Sequence, residues 1–208
     1  TLNVASGTAP VDLQSTGSIN NGGLIKTGAG TLRLTGGAAN TYAGSTTVNA
    51  GTLELFKTAG QSAINGPLHI GDGIGVDTVR LQAGEQITNT KSVTIQGGVL
   101  DLNGFNETIA DLTMEGGTVN TGAGALTLGG NVVASASGVV APTINGNLHL
   151  GVATRTFTVN DVAAAPIDLE VAAVVSTISG ATGIIKDGAG TLLLSGTNTY
   201  PGGLTLNA

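Results

Sequence analysis

The chain has 208 residues, of which 35 are glycine, five are aromatic and none is cysteine or tryptophan. Hydrophobic residues still make up 40% of the sequence, which excludes disorder, and the absence of cysteine excludes disulfides and thiolate metal sites. The net charge is −6, and the seven basic residues are scattered singly, so they are interpreted as solvated surface charges. Without a basic stripe, neither nucleic acid nor anionic lipid is expected as a partner.

Short segments in which Leu, Ile or Val alternates with Thr, Arg, His or Asp run along the whole chain, as in half-buried strands. In chain order the predicted strands are 31–34, 52–55, 68–70, 78–81, 92–95, 99–102, 125–128, 147–150, 156–159, 167–171, 191–194 and 204–206. Asn-Gly and Gly-Gly turn signals separate them. The two candidate helices, 105–111 and 162–165, are better interpreted as loop or strand. The fold class is therefore all-β.

Internal repetition selects one all-β architecture. Residues 24–34 (LIKTGAGTLRL) recur as 184–194 (IIKDGAGTLLL), and residues 64–71 (INGPLHIG) recur as 144–151 (INGNLHLG). Repeated strand–turn units predict a stacked array, here a parallel β-solenoid. At about 20 residues per coil, the chain would form roughly ten coils. We expect a single continuous solenoid over residues 1–208, as a segment of a longer protein.

The longest repeat resembles a known family. Residues 26–36 (KTGAGTLRLTG), followed by Asn-Thr-Tyr at 40–42 and by 46–53 (TTVNAGTL), are similar to the autotransporter-associated β-strand repeat, also called the passenger-associated transport repeat. The motif spans 24–53, and residues 184–208 match it again. The resemblance implies a right-handed parallel β-helix that is exported to the bacterial cell surface or extracellular space, commonly by the type V route and in association with the outer membrane.

One segment approaches a calcium-binding motif. Residues 72–79 (DGIGVDTV) nearly fit the β-roll nonapeptide GGxGxDxUx, in which carboxylate and backbone oxygens of successive turns share the ion. Such a site needs tandem copies of the nonapeptide, and this sequence contains only a single copy. A structural turn is therefore favoured, with calcium at Asp72 and Asp77 as the alternative.

Other polar residues give no predicted active site. His69 and His149 hold equivalent positions in the second repeat pair and are expected to stack on one outward face. Glu107, Asp111 and Glu115 would share one face of a strand about 13 Å apart in succession, too far apart for the paired carboxylates of a glycosidase. Ice binding is disfavoured because most threonines alternate with Leu or Val, and only 154–158 offers a clean outward pair. No catalytic, cofactor or metal site is predicted.

These features favour a non-enzymatic rod in a bacterial surface or extracellular fibre, with self-association and adhesion as associated roles. The expected partners are neighbouring repeats or other copies stacked end to end, and a surface glycan or host receptor. No membrane insertion by this segment is expected, because its apolar stretches are far shorter than the ~20 residues of a membrane helix. The alternative is a carbohydrate-binding adhesin or a polysaccharide-degrading β-helix enzyme that uses a groove along one face.

Overall fold

A computed structural model of the chain describes residues 1–75 and 77–207. Across these residues the chain forms 23 short strands, numbered here in chain order, and the strands pair in parallel into three sheets. Each strand lies beside the strand of the next coil, so the sheets run along the axis of a β-solenoid. The described residues contain no helix that is long and apolar enough to cross a membrane.

The three sheets form the sides of the coil. Sheet A contains β1 (Leu2–Asn3), β3 (Leu24–Thr27), β5 (Thr46–Val48), β7 (Leu68–Ile70), β9 (Val93–Gln96), β12 (Leu112–Glu115), β15 (Val132–Ser135), β18 (Arg155–Asn160), β21 (Ile184–Asp187) and β23 (Leu204–Leu206). Sheet B contains β2 (Leu13–Ser15), β4 (Thr31–Gly36), β6 (Gly51–Lys57), β8 (Asp77–Leu81), β10 (Val99–Asp101), β13 (Thr118–Asn120), β16 (Thr143–Asn145), β19 (Leu169–Val171) and β22 (Leu192–Leu194). Sheet C contains β11 (Glu107–Ile109), β14 (Leu126–Leu128), β17 (Asn147–His149) and β20 (Val174–Ser176).

The coils vary in length. Val93 pairs with Leu112, 19 positions later, whereas Arg155 pairs with Ile184, 29 positions later. The ten strands of sheet A are separated by nine coil steps, which agrees with the predicted number of roughly ten coils. At ~4.8 Å per step these strands span about 43 Å along the axis.

The core is a column of aliphatic side chains. On sheet B the inward position carries Leu32, Leu53, Val79, Leu100 and Val119 in successive coils, and each is fully buried. Burial of one such side chain contributes about 1.5–3 kcal/mol. Because each coil covers the apolar face of its neighbour, the column is stable only when several coils stack.

Glycine allows the corners of neighbouring coils to approach closely. A Cβ on Gly66 would overlap the backbone carbonyl of Gly44 in the preceding coil. Gly28 and Gly188, at equivalent positions of the long repeat, have φ angles of 77° and 79°, where a side chain is strained. The high glycine content is thus explained by tight corners rather than by flexible linkers.

Only one of the two sequence repeats recurs at equivalent positions of the coil. The long repeat is structural, because Leu24 and Ile184 both begin strands of sheet A, in β3 and β21. The second pair is not, because Leu68 lies in β7 of sheet A and Leu148 in β17 of sheet C. Its two copies share a local turn–strand pattern but lie on different sides of the coil.

Candidate binding surfaces

Four of the seven basic side chains are buried, so their interpretation as solvated surface charges is wrong. These are Lys26, Lys57, Arg155 and Lys186. The Lys26 ammonium donates to the carbonyls of Gly28 and Ala50 at 2.8 and 2.7 Å, which joins the corners of two successive coils. Burial lowers the pKa of this ammonium from its usual value. These cations cap backbone carbonyls at the corners of the coil by donating hydrogen bonds to them.

Arg155 forms the most extensive of these caps. Its guanidinium donates to the carbonyls of Leu150, Gly129 and Leu128 at 2.8, 2.6 and 2.7 Å. The fixed fork of donors lets one side chain bind three carbonyls from two coils. Four acidic residues are buried as well (Glu54, Asp77, Glu107 and Asp168), so burial removes equal numbers of basic and acidic groups from the surface.

A ladder of polar side chains follows the outward face of sheet B. The polar ladder consists, in register, of Gln14, Arg33, Glu54, Arg80, Asp101, Asn120 and Asn145. Arg33 Nη2 lies 2.7 Å from Glu54 Oε2, and Arg80 Nε lies 3.3 Å from Asp101 Oδ2. Each partly exposed pair contributes about 0.2–1 kcal/mol. Alternation of charge between coils thus pairs most of the ionised groups along this ladder.

A threonine ladder runs beside the polar ladder. Thr31, Thr52 and Thr78 are in register, and the same column continues through Val99 to Thr118 and Thr143. Each of these strands contributes one outward threonine to the column, whereas Thr156 and Thr158 of β18 form an outward pair on one strand. The column of side chains next to it on this sheet is the polar ladder, so a second column of threonines does not lie beside the first.

The three spaced carboxylates do not share a face. Glu107 points inward from β11 and is fully buried, Asp111 lies at the exposed corner that follows, and Glu115 points outward from β12. The expectation of a single strand fails because the chain turns from sheet C to sheet A within this segment. Burial raises the pKa of Glu107 to about 8, although its carboxyl accepts amide hydrogen bonds from Gln86 at 2.7 Å and Ile87 at 3.2 Å.

The two histidines do not stack. His69 on β7 lies between Thr47 and Thr94, whereas His149 on β17 is paired with Thr127 and Ser176. The prediction of one shared outward face is therefore wrong, and both side chains are half-buried. The prediction failed because residues 64–71 and 144–151 are similar in sequence but lie in different sheets.

Asp72 and Asp77 occupy different environments at the corner between β7 and β8. Asp72 is exposed, and its Oδ1 accepts the amide hydrogen bond of Ile74 at 3.0 Å, as in an Asx turn. Asp77 is 1% exposed and lines a cavity of about 490 Å³, together with Ala29, Ala50, Thr52, Ile74 and Gly75. Among the described residues no group of three or more metal-ligating side chains occurs.

The last described coil carries a concave apolar surface. Leu192 and Leu194 of β22 and Leu204 and Leu206 of β23 line a concave surface of about 410 Å³. Leu204 is 46% exposed and Leu206 is 69% exposed. In the first repeat the equivalent positions are Leu32, Leu34, Thr46 and Val48, and all four are buried beneath the next coil.

Comparison with known proteins agrees with this architecture. The model of the passenger-associated transport repeat matches residues 24–55 and 184–208. The Adhesin BmaC autotransporter of Brucella suis biovar 1 (strain 1330) is 30% identical over 264 aligned positions, which cover 98% of this chain and 7% of the adhesin. This chain thus spans a small fraction of that relative. No solved structure matches the chain significantly. The chain is thus a β-solenoid that contains two matches to the passenger-associated transport repeat.

Proposed function

We propose that this chain is a rod segment of a bacterial surface passenger and acts as a non-enzymatic scaffold for adhesion. The observation that carries the proposal is the uninterrupted column of parallel coils between two matched passenger-associated transport repeats. Such a column holds its ends about 43 Å apart without a flexible joint. The name of the Brucella relative, an adhesin autotransporter, supports a role in adhesion at the cell surface or in the extracellular space.

A non-enzymatic role is supported by the separation of the candidate carboxylates. Glu107 is sealed inside the coil, while Asp111 and Glu115 lie on different parts of the exterior. A glycosidase needs two carboxyl groups on either side of one sugar bond. These three groups therefore cannot form such a pair.

The rod is further proposed to stack end to end, either on neighbouring repeats of the same longer chain or on a second copy. At one end, Leu204 and Leu206 present an apolar surface along the axis, and at the other Leu2 and Leu13 are 39% and 41% exposed. Leu204 and Leu206 lie on the last strand of sheet A, and Leu2 lies on its first strand, so a neighbouring repeat or a second copy would continue this sheet in parallel. Head-to-tail contacts of this kind do not form a closed ring, so they generate filaments.

Sedimentation velocity over a range of concentrations tests this association. We expect the wild-type chain to sediment as growing oligomers, and the Leu206→Asp variant to remain monomeric because a charge replaces the apolar contact. Val152→Asp is the matched control, since Val152 is also 69% exposed but lies away from the solenoid ends. A wild-type chain that stays monomeric at every concentration, or equal effects of the two variants, would contradict end-to-end stacking.

A further inference from the structure

The chain contains four Asn-Gly pairs, each at the end of a strand or in a connection between strands. They are Asn21-Gly22, Asn65-Gly66, Asn103-Gly104 and Asn145-Gly146. Asparagine is chemically least stable before glycine, because glycine has no Cβ to obstruct the approach of its amide nitrogen to the asparagine side chain. All four pairs share this chemistry, so their structural environments decide which of them reacts.

The reaction is an intramolecular substitution followed by hydrolysis. The glycine nitrogen loses its proton and attacks Cγ of the asparagine, so that a new N–Cγ bond closes a succinimide ring. The Cγ–Nδ2 bond breaks, and Nδ2 takes up a proton and leaves as ammonia. Water then opens the ring at Cγ, which gives aspartate, or at the backbone carbonyl carbon, which gives isoaspartate. Ring closure needs a side chain that can rotate onto the following nitrogen.

Asn21 meets these requirements. Its side chain is exposed and has no hydrogen-bond partner among residues 1–75 and 77–207. Gly22 has a φ angle of 75°, and no atom lies within 4 Å of the position of an added Cβ. Its amide donates to no backbone carbonyl of the same residues, while its carbonyl accepts from the Gly44 amide at 2.9 Å. The contact with the next coil thus leaves the attacking nitrogen and the asparagine side chain unrestrained.

Asn103 is restrained at both reacting groups. Its Nδ2 donates to the carbonyl of Leu81 at 3.1 Å, and its Oδ1 accepts from Arg80 at 2.8 Å. The attacking nitrogen is also engaged, because the Gly104 amide donates to the carbonyl of Thr121 at 3.1 Å. Ring closure at this pair therefore requires that three hydrogen bonds break first.

The other two pairs are fixed by neighbouring coils. Asn65 Oδ1 accepts from the hydroxyl of Thr88 at 2.9 Å, and Gly66 is buried against the backbone of the preceding coil. Asn145 ends β16, and its Nδ2 donates to Oδ1 of Asn120 at 3.0 Å. Reaction at either pair requires local opening of the solenoid, which costs free energy that an exposed turn does not require.

We propose that Asn21 is a site of spontaneous deamidation in the folded chain, and that the coil protects the other three Asn-Gly pairs. Hydrogen bonds and close packing that must first be broken slow ring closure by about tenfold or more. The product carries one additional negative charge at the turn before β3, and as isoaspartate it also lengthens the main chain there by one carbon. This inference is independent of the proposed function, since it concerns the chemistry of the chain alone.

The test is incubation of the full chain at pH 8 and 37 °C, with timed samples digested and mapped by mass spectrometry. We expect the Asn21 amide to convert to an acid about tenfold or more faster than any other Asn-Gly pair. Incubation in water enriched in ¹⁸O should place one ¹⁸O atom at residue 21, because solvent opens the ring. Asn21→Gln keeps an amide at this position and should abolish the conversion there.

Two comparisons separate the fold from the local sequence. In guanidinium chloride the four pairs should react at similar rates, since the coil no longer protects any of them. Arg80→Met removes one hydrogen bond to Asn103 and should raise the rate at Asn103 while leaving Asn21 unchanged.

Three results would overturn the proposal. They are conversion at another Asn-Gly pair that is as fast as at Asn21 in the folded chain, an Asn21 that stays intact while the denatured chain reacts, and an equal preference for Asn21 in denaturant. The last result would assign the selectivity to the local sequence rather than to the coil. An unchanged rate at Asn103 in Arg80→Met would likewise contradict protection by hydrogen bonds.

Discussion

The ionisation of Glu107 makes the stability of the solenoid depend on pH. The carboxyl has a pKa of about 8 in the folded chain because it is buried, against a usual value of 4.5. Between these two values the folded chain holds a proton that the unfolded chain has released. The stabilisation is complete below about pH 4.5, and it is lost as the pH rises through 8.

The size of the effect follows from the shift. At 1.36 kcal/mol per pH unit, the difference between 4.5 and about 8 corresponds to about 5 kcal/mol of unfolding free energy. Glu107→Gln keeps the shape of the protonated carboxyl and removes the ionisation. Because the NH2 group of Gln cannot accept the amide hydrogen bond that one carboxyl oxygen accepts, we expect the variant to be less stable than the wild type by about 1–3 kcal/mol at pH 5. At pH 9 it should be more stable by about 2–4 kcal/mol.

Chemical denaturation followed by circular dichroism at pH 5, 7 and 9 measures this difference. Glu115→Gln changes the net charge equally at an exposed position and should show no such crossover. Two amide groups donate to Glu107, and they favour the ionised form. If Glu107→Gln is less stable than the wild type at every pH, those amides outweigh burial and the reasoning is refuted.

Two further predictions concern the corners. Lys26→Met should lower the unfolding free energy by about 2–4 kcal/mol, because the carbonyls of Gly28 and Ala50 lose their shared donor. Lys91→Met is the control and should have little effect, since Lys91 lies at a half-buried position. Equal denaturation midpoints for the two variants would contradict the capping role. Gly66→Ala should destabilise the chain strongly because its Cβ meets the Gly44 carbonyl, and Gly17→Ala, which has open space, should not. A thermal melt compares the glycine pair, and a tolerated Gly66→Ala would show that the corners are looser than described.

Alternation in the sequence predicted twelve of the 23 strands, because it reports directly which face of a strand is buried. All twelve predicted strands overlap strands of the structure, including 31–34 within β4 and 204–206 as β23. The same rule could also have located the buried cations. In β3, Leu24 points inward, Ile25 outward and Lys26 inward, and the interpretation as a surface charge ignored this order.

The register of the coils was not predictable from local similarity. Connections between strands range from one residue, between β16 and β17, to much longer segments, so a match such as 64–71 with 144–151 does not fix which sheet a strand joins. The Asp77 cavity was missed for a related reason. Residues 72–79 suggested a turn, but only the paired coils show that Asp77 is buried over the corner formed by Ala50.

Surface location is the central claim about function, and labelling of intact cells tests it most directly. Antibodies raised against the folded 208-residue chain would be applied, with gold detection, to the bacterium that produces the full protein, before and after permeabilisation. We predict label on the exterior of unpermeabilised cells, since the chain is built with passenger-associated transport repeats. Label that appears only after permeabilisation would contradict a role as a surface passenger.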